Sequence, residues 1–135
     1  MNGGDSFQSI LRRVRACDYL TVAQLFLQNN FLLEKPLSAE DVKPRLLGHW
    51  GTCHGINVAY ANLKAHRPET TFILGPGHGF PALQANLFID GELEKIDPRA
   101  TRDVKGIAYL CRNFSWPGGF PSHSSPFTPG VICEG

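Results

Sequence analysis

The segment that most constrains the fold is TTFILGPGHG, residues 70–79. Residues 70–74 are β-branched and apolar on both faces, a composition typical of a buried parallel strand. A glycine-rich turn follows at residues 75–79, and residues 82–89 then have helical character. A strand, a glycine-rich turn and a helix form the first half of a βαβ unit. The pattern therefore predicts an α/β fold. Its parallel sheet would be incomplete within this chain, because a single strand cannot satisfy its own edges.

Helices are predicted on both sides of this unit. Apolar residues recur at helical spacing over residues 5–30, either as two helices meeting near Asp18, which could cap the second, or as one bent helix. Ser38 followed by Asp41 is a short capping signal, and further helices are predicted over residues 55–66 and 103–114. A loop is expected from Ser115 onwards. The expected division is a helical segment over residues 1–36 and a second unit over residues 37–135.

Composition excludes several classes of function. A chain of 135 residues is enough for one small domain, and 13 basic against 12 acidic side chains leave no basic surface for nucleic acid. No apolar run is long enough for a membrane span, and no secretory leader is visible at the start, so we expect neither feature. The cysteines are widely spaced, which is typical of free thiols in a reducing compartment; they are Cys17, Cys53, Cys111 and Cys133. We expect a cytoplasmic protein without nucleic-acid or membrane partners.

Three separate loops present one histidine each. His49 lies between glycines beside a tryptophan, His78 is at the tip of the glycine-rich turn, and His123 ends a loop rich in glycine and proline. An imidazole can donate or accept a proton near neutral pH. On the residues alone, His78 could instead be a surface histidine, and the turn at His49 could instead be a structural turn packed by Trp50. A dinucleotide site is disfavoured because Phe80 stands where the third glycine of the fingerprint would be needed. Zinc is disfavoured because close pairs of ligands are missing.

These loops resemble a known family. The segments KPRLLGHWGT (43–52), GPGHG (75–79), FSWPGGFPSH (114–123), TPG (128–130) and EG (134–135) resemble the phosphoketolases in the same order and at similar spacing. The likeness extends from about Tyr19 to the last residue and is looser before Lys43. The resemblance implies the N-terminal portion of a transketolase-like domain that binds thiamine diphosphate.

The resemblance also implies an activity. Phosphoketolases are aldehyde-lyases that use thiamine diphosphate and Mg²⁺ to cleave xylulose 5-phosphate or fructose 6-phosphate with inorganic phosphate, giving acetyl phosphate and an aldose phosphate. Matched motif by motif, His49, His78 and His123 are the expected catalytic residues. Gly77, His78 and Gly135 are expected to contact the cofactor. The ligands of the metal are expected outside this chain, and the full-length family is expected to be homo-oligomeric.

Three positions depart from the family pattern. His54 replaces a proline after GHWGT, Phe80 replaces a glycine after GPGHG, and Cys133 replaces the histidine before EG. These departures leave two alternatives open. One is a truncated paralogue without catalysis, and the other is a transketolase-like enzyme that shares the fold and the cofactor.

Overall fold

The computed structural model describes residues 3–125, with side chains from residue 6 onwards, and this part of the chain is helical. The α-helices are α1 (Gly3–Phe26), α2 (Trp50–His66), α3 (Phe80–Asp90), α4 (Glu92–Ile96) and α5 (Val104–Asn113). Short 3₁₀ turns cover Ala39–Asp41 and Gly77–Gly79. None of the helices in residues 3–125 combines the length and the apolar character that crossing a bilayer requires.

Helix α3 forms the centre of the domain. Its residues from Phe80 to Phe88 are all buried, including the side-chain amides of Gln84 and Asn86. Helices α1 and α2 pack against α3 and against each other, whereas α5 packs on α1 and α4 follows directly on α3. Gly91 ends α3 with φ +77°, a left-handed conformation that glycine adopts without steric cost.

Several predicted helix boundaries are confirmed, and others differ from their predicted positions. Residues 3–26 form one continuous helix rather than two, and the Asp18 carboxylate contacts α2 instead of capping a second helix. The capping box at Ser38 and Asp41 is present, with Ser38 N and Oγ donating to the Asp41 carboxylate at 3.0 and 3.1 Å. Asp103 caps α5 by accepting a hydrogen bond from Gly106 N at 2.8 Å.

The predicted α/β fold is wrong for the part of the chain that the structure describes. Residues 70–74 have no regular secondary structure, residues 3–125 contain no sheet, and their two isolated β-bridges lie elsewhere. Leu74 is buried and the Phe72 ring packs on Tyr60 with centroids 4.9 Å apart, whereas Ile73 is 53% exposed. The apolar side chains that predicted a buried strand therefore anchor one side of an irregular connection to the helices. Local composition cannot supply the neighbouring strand that a sheet needs.

A buried polar network fixes α2 against α1 and α3. Asn86 of α3 donates to Asn57 Oδ1 of α2 at 2.8 Å, and Asn57 donates to Asp18 Oδ1 of α1 at 2.8 Å. Beside it, Arg13 pairs with Asp90 at 2.7 Å. Buried amides need such partners, so the network favours one relative placement of the three helices. That placement matters because α2 and α3 both begin at the candidate site.

A buried lysine connects the carboxyl ends of α1 and α5. Lys43 is 7% exposed, and its ammonium donates to Gln24 O at 2.7 Å and to Phe114 O at 3.2 Å. A cation suits the carbonyls at helix carboxyl ends. Burial nevertheless lowers the pKa of Lys43 to about 8. Lys43 is the first residue of the segment that leads to His49, so this contact holds the start of that segment.

A cavity of about 610 Å³ lies between α3, α4 and residues 120–125. Its wall is mostly apolar and includes Phe80, Leu87, Leu93 and Phe120. Gln84 is 1% exposed, and neither its amide nitrogen nor its amide oxygen has a hydrogen-bond partner among the described residues. An unpaired buried amide costs free energy, and Gln84 is the residue of the described part of the chain in which both side-chain polar atoms are buried without a partner.

Candidate active site

Gly48 determines how His49 enters the site. Its φ is +118°, and a Cβ at this position would overlap the Leu25 side chain. Only glycine fits both the conformation and the space. His49 then takes the N-cap position of α2 with extended backbone angles, and its side chain is exposed. The Cys53 thiol donates to His49 O at 2.9 Å, which ties the backbone of His49 to the first turn of the helix.

His78 lies against His49 on the glycine-rich turn. The two imidazole rings meet edge to face, with centroids 4.8 Å apart and an interplanar angle of 65°. His78 Nε2 is 3.0 Å from Thr52 Oγ1, in the first turn of α2. Gly79 lets the turn approach α2 closely, because a Cβ there would overlap the Ile56 side chain. The glycine-rich turn and the start of α2 therefore bring His78 and His49 together as a pair of imidazoles.

The third histidine reaches the same region through its neighbour. Ser124 N donates to Gly77 O at 3.2 Å, which holds residues 122–124 against the glycine-rich turn. His123 itself is exposed, and its Nδ1 is 3.2 Å from Ser122 Oγ. The structure thus brings the three histidine-bearing segments together, with a direct ring contact for His49 and His78. Gly135, which we expected at the cofactor, lies outside the described residues.

Two helix amino ends converge on the imidazole pair. His49 is the N-cap of α2 and Gly79 is the N-cap of α3, and neither helix has a side-chain hydrogen bond at its cap. The first N–H groups of a helix carry partial positive charge and lack intrahelical acceptors, so such ends favour anionic groups such as phosphates. This applies to α2, because in α3 the Phe80 N–H donates to Gly77 O and Pro81 has no N–H.

The cysteines near the site are not activated. Burial raises the pKa of Cys53 to about 11 and the pKa of Cys17 and of Cys111 to about 12. All three are free thiols that remain protonated at neutral pH, and a protonated thiol is a poor nucleophile. Among the described residues, no group of three or more His, Cys, Asp or Glu side chains could hold a metal ion. The chemistry that this part of the chain offers is therefore imidazole chemistry.

Two of the positions that depart from the family pattern have structural explanations. The Phe80 side chain is buried with Leu25 and Phe114, and the two phenyl rings are 6.2 Å apart. The phenylalanine after the glycine-rich turn is thus part of the hydrophobic core. His54 Nδ1 contacts Asp18 Oδ2 at 2.8 Å and links α2 to α1. The third departure, at Cys133, lies outside the described residues.

Thr52 is the site residue that sequence reasoning did not single out. It was noted only as the last residue of GHWGT, and α2 was predicted to start at residue 55 instead of Trp50. A helix that begins at Trp50 places Thr52 three residues after His49, in the turn that faces His78. The position of the helix start was therefore the missing signal.

These observations define a small helical domain in which two imidazoles meet where two helices begin. Residues 3–135 match the family model described as the XFP N-terminal domain. The chain therefore belongs to the phosphoketolase family and corresponds to its N-terminal part, as the loop motifs predicted.

Individual relatives agree with this assignment. The chain is 50% identical over 125 residues to the probable phosphoketolase of Rhodopseudomonas palustris strain BisB5, a match that covers 90% of this chain and 16% of that protein. It is 46% identical over 137 residues to the probable phosphoketolase of Pseudomonas putida strain F1, covering 98% of this chain and 17% of that protein. The chain spans about a sixth of the length of these curated relatives.

Proposed function

We propose that this domain supplies the imidazole side of the active site of a thiamine-diphosphate-dependent phosphoketolase. The proposed reaction cleaves xylulose 5-phosphate or fructose 6-phosphate with inorganic phosphate to acetyl phosphate and an aldose phosphate, in the cytoplasm. The observation that carries the proposal is the contact of His49 with His78 at the amino ends of α2 and α3. Membership of the phosphoketolase family supports the choice of reaction.

The residues present fit one part of the cofactor. The uncapped amino end of α2 and the turn at Gly77–Gly79 suit the diphosphate or a substrate phosphate, because both are anions. The described residues offer no cluster of metal ligands, so we assign the Mg²⁺ ligands to another part of the enzyme. When bound, thiamine diphosphate supplies the nucleophilic carbon that a ketose cleavage requires.

The histidines have separate proposed roles. His49 and His78 hold and move protons at the ketose oxygens, work that suits imidazoles within reach of the same substrate atom. His123 contacts the substrate hydroxyls from the segment that Ser124 holds against the turn. The phosphate of the sugar is expected near the helix amino ends, where its charge is stabilised.

A chimeric enzyme tests the proposal. In this chimera, the present domain replaces the matching 125 residues of the Rhodopseudomonas palustris protein. We expect acetyl phosphate to form from xylulose 5-phosphate and inorganic phosphate. His49→Ala or His78→Ala should lower turnover by roughly 10²–10⁴, the usual range for a group that transfers protons.

A matched histidine provides the control. His66 is an exposed histidine in the last turn of the same helix, so His66→Ala should leave turnover unchanged. Normal acetyl phosphate formation by the His49 and His78 variants would exclude these residues from catalysis. A folded chimera that produces none, when the parent enzyme does, would instead favour a paralogue without catalysis.

A further inference from the structure

A polar residue lies in the middle of the apolar face that α3 presents to the cavity beside α4. Phe80, Gln84 and Leu87 have the i, i+4, i+7 spacing of one helix face, and all three line the cavity. Gln84 is 1% exposed, and its Nε2 and Oε1 have no hydrogen-bond partner among the described residues. Such an amide costs stability in the free chain, and a molecule in the cavity that pairs with it would remove that cost.

The cavity has the size and the wall of a site for a small organic molecule. Its volume of about 610 Å³ lies within the range of roughly 300–1,000 Å³ that is usual for ligand sites. Leu93 and Ile96 of α4 and the Phe120 side chain complete a mostly apolar wall. An apolar wall with few polar groups is the usual composition of such sites, and the phenyl rings of Phe80 and Phe120 suit an aromatic ligand.

The charged groups at the cavity are already paired. Arg99 Nε and Nη2 each donate to the Asp97 carboxylate at 2.9 Å, and Tyr109 Oη donates to the same carboxylate at 2.7 Å. The hydrogen bonds from Arg99 lower the pKa of Asp97 to about 2, so this pair remains ionised at neutral pH. Asp97 and Arg99 are the charged residues that line the cavity within the described part of the chain. An ion would therefore find no unpaired opposite charge there, and its burial against apolar side chains would be costly.

We propose that this cavity binds a neutral aromatic molecule whose carboxamide or lactam group pairs with the Gln84 amide. The side-chain amide offers an N–H donor beside a carbonyl acceptor. A carboxamide or lactam offers the same two groups in the opposite order, so it satisfies both atoms of Gln84 at once. A ketone or a carboxylate would leave Gln84 Oε1 without a donor. The inference uses none of the three histidines and is independent of the proposed function.

Two probes of nearly equal shape test this class of ligand. Benzamide carries the carboxamide, and acetophenone has a methyl group in place of the NH₂. Titrations of the ¹⁵N-labelled chain, followed in ¹H–¹⁵N spectra, measure the dissociation constant of each probe. We expect benzamide to bind in the millimolar range, which is typical of a molecule this small, and to shift the signals of residues 80–87 and of the Gln84 side-chain NH₂. Gln84→Leu should lower the preference for benzamide over acetophenone by roughly three- to tenfold, the value of one neutral hydrogen bond.

A control and a second protein make the result specific. Gln8→Leu is the same replacement at an exposed position in α1 and should keep the wild-type preference. If wild type did not bind benzamide, or bound it away from the cavity, the proposal would be overturned even if Gln84→Leu did not fold. An unchanged preference in a folded Gln84→Leu protein would overturn it as well. The chimera with the Rhodopseudomonas palustris protein tests the rival occupant: if the folded chimera no longer bound benzamide, the cavity would be a contact with the rest of the enzyme and not a ligand site.

Discussion

Replacement of Lys43 by methionine tests how the chain holds the segment that leads to His49. The ammonium is buried against two helix carbonyls and has no carboxylate partner among the described residues. Burial lowers its pKa from 10.5 to about 8. The folded state therefore releases the proton of Lys43 at a lower pH than the unfolded state does. Since the unfolded chain binds more protons between these two values, Lys43 makes stability rise with pH across this window.

The size of the effect follows from the two pKa values. A pKa of about 8 in the folded state and 10.5 in the unfolded state gives a gain of about 2 kcal/mol in the free energy of unfolding between pH 7 and pH 9.5. Buried thiols act in the opposite direction at alkaline pH, because burial raises the pKa of Cys111 to about 12. This loss of stability at alkaline pH is common to the wild type and to a Lys43→Met variant. The difference between the two proteins isolates the contribution of Lys43.

Urea unfolding followed by helical circular dichroism, at pH 7 and pH 9.5 with a reductant present, measures this difference. We expect Lys43→Met to lose about 2 kcal/mol of stability relative to wild type as the pH rises. Lys105→Met, at an exposed position in α5, should follow the wild type. If the free energy of unfolding of Lys43→Met changed with pH as that of the wild type does, Lys43 would not be a buried cation in the folded state, and the expected difference would be refuted.

Two further predictions concern the interior and the entrance to the site. Gln84→Leu removes an amide without hydrogen-bond partners among the described residues and should raise the free energy of unfolding by about 1–2 kcal/mol. Gln24→Leu should lower the free energy of unfolding, because the Gln24 amide donates to Pro81 O at 3.0 Å. Equal changes in the free energy of unfolding of the two variants, measured with urea, would contradict this prediction. Gly48→Ala should destabilise the chain by about 1–3 kcal/mol, through the overlap with Leu25 and the positive φ. Gly51→Ala, in open space within α2, should leave stability unchanged or raise it by up to about 1 kcal/mol. Equal melting temperatures for Gly48→Ala and Gly51→Ala would refute this prediction.

The sequence predicted the helices better than it predicted the fold class. Helical spacing and the Ser38–Asp41 capping signal are local features, and each is present. A strand differs because its hydrogen-bond partners lie in another segment. Residues 70–74 have the composition of a buried strand, yet they form no strand in the described structure, and Ile73 is exposed. Composition alone therefore does not determine whether such a segment joins a sheet.

The sequence named the histidines of the candidate site but not their geometry. The close approaches of the backbone at Gly48 and Gly79 depend on Leu25 and Ile56, which lie in other segments, so the motifs alone did not predict them. The start of α2 was placed too late because histidine is a poor N-cap by local rules, and nothing nearby in the sequence replaces it. The helix begins at Trp50 because tertiary contacts set the chain direction: Gly48 passes Leu25 without a side chain. That early start is what places Thr52 opposite His78, so the orientation of the imidazole depends on a packing contact with α1 that lies outside the motif.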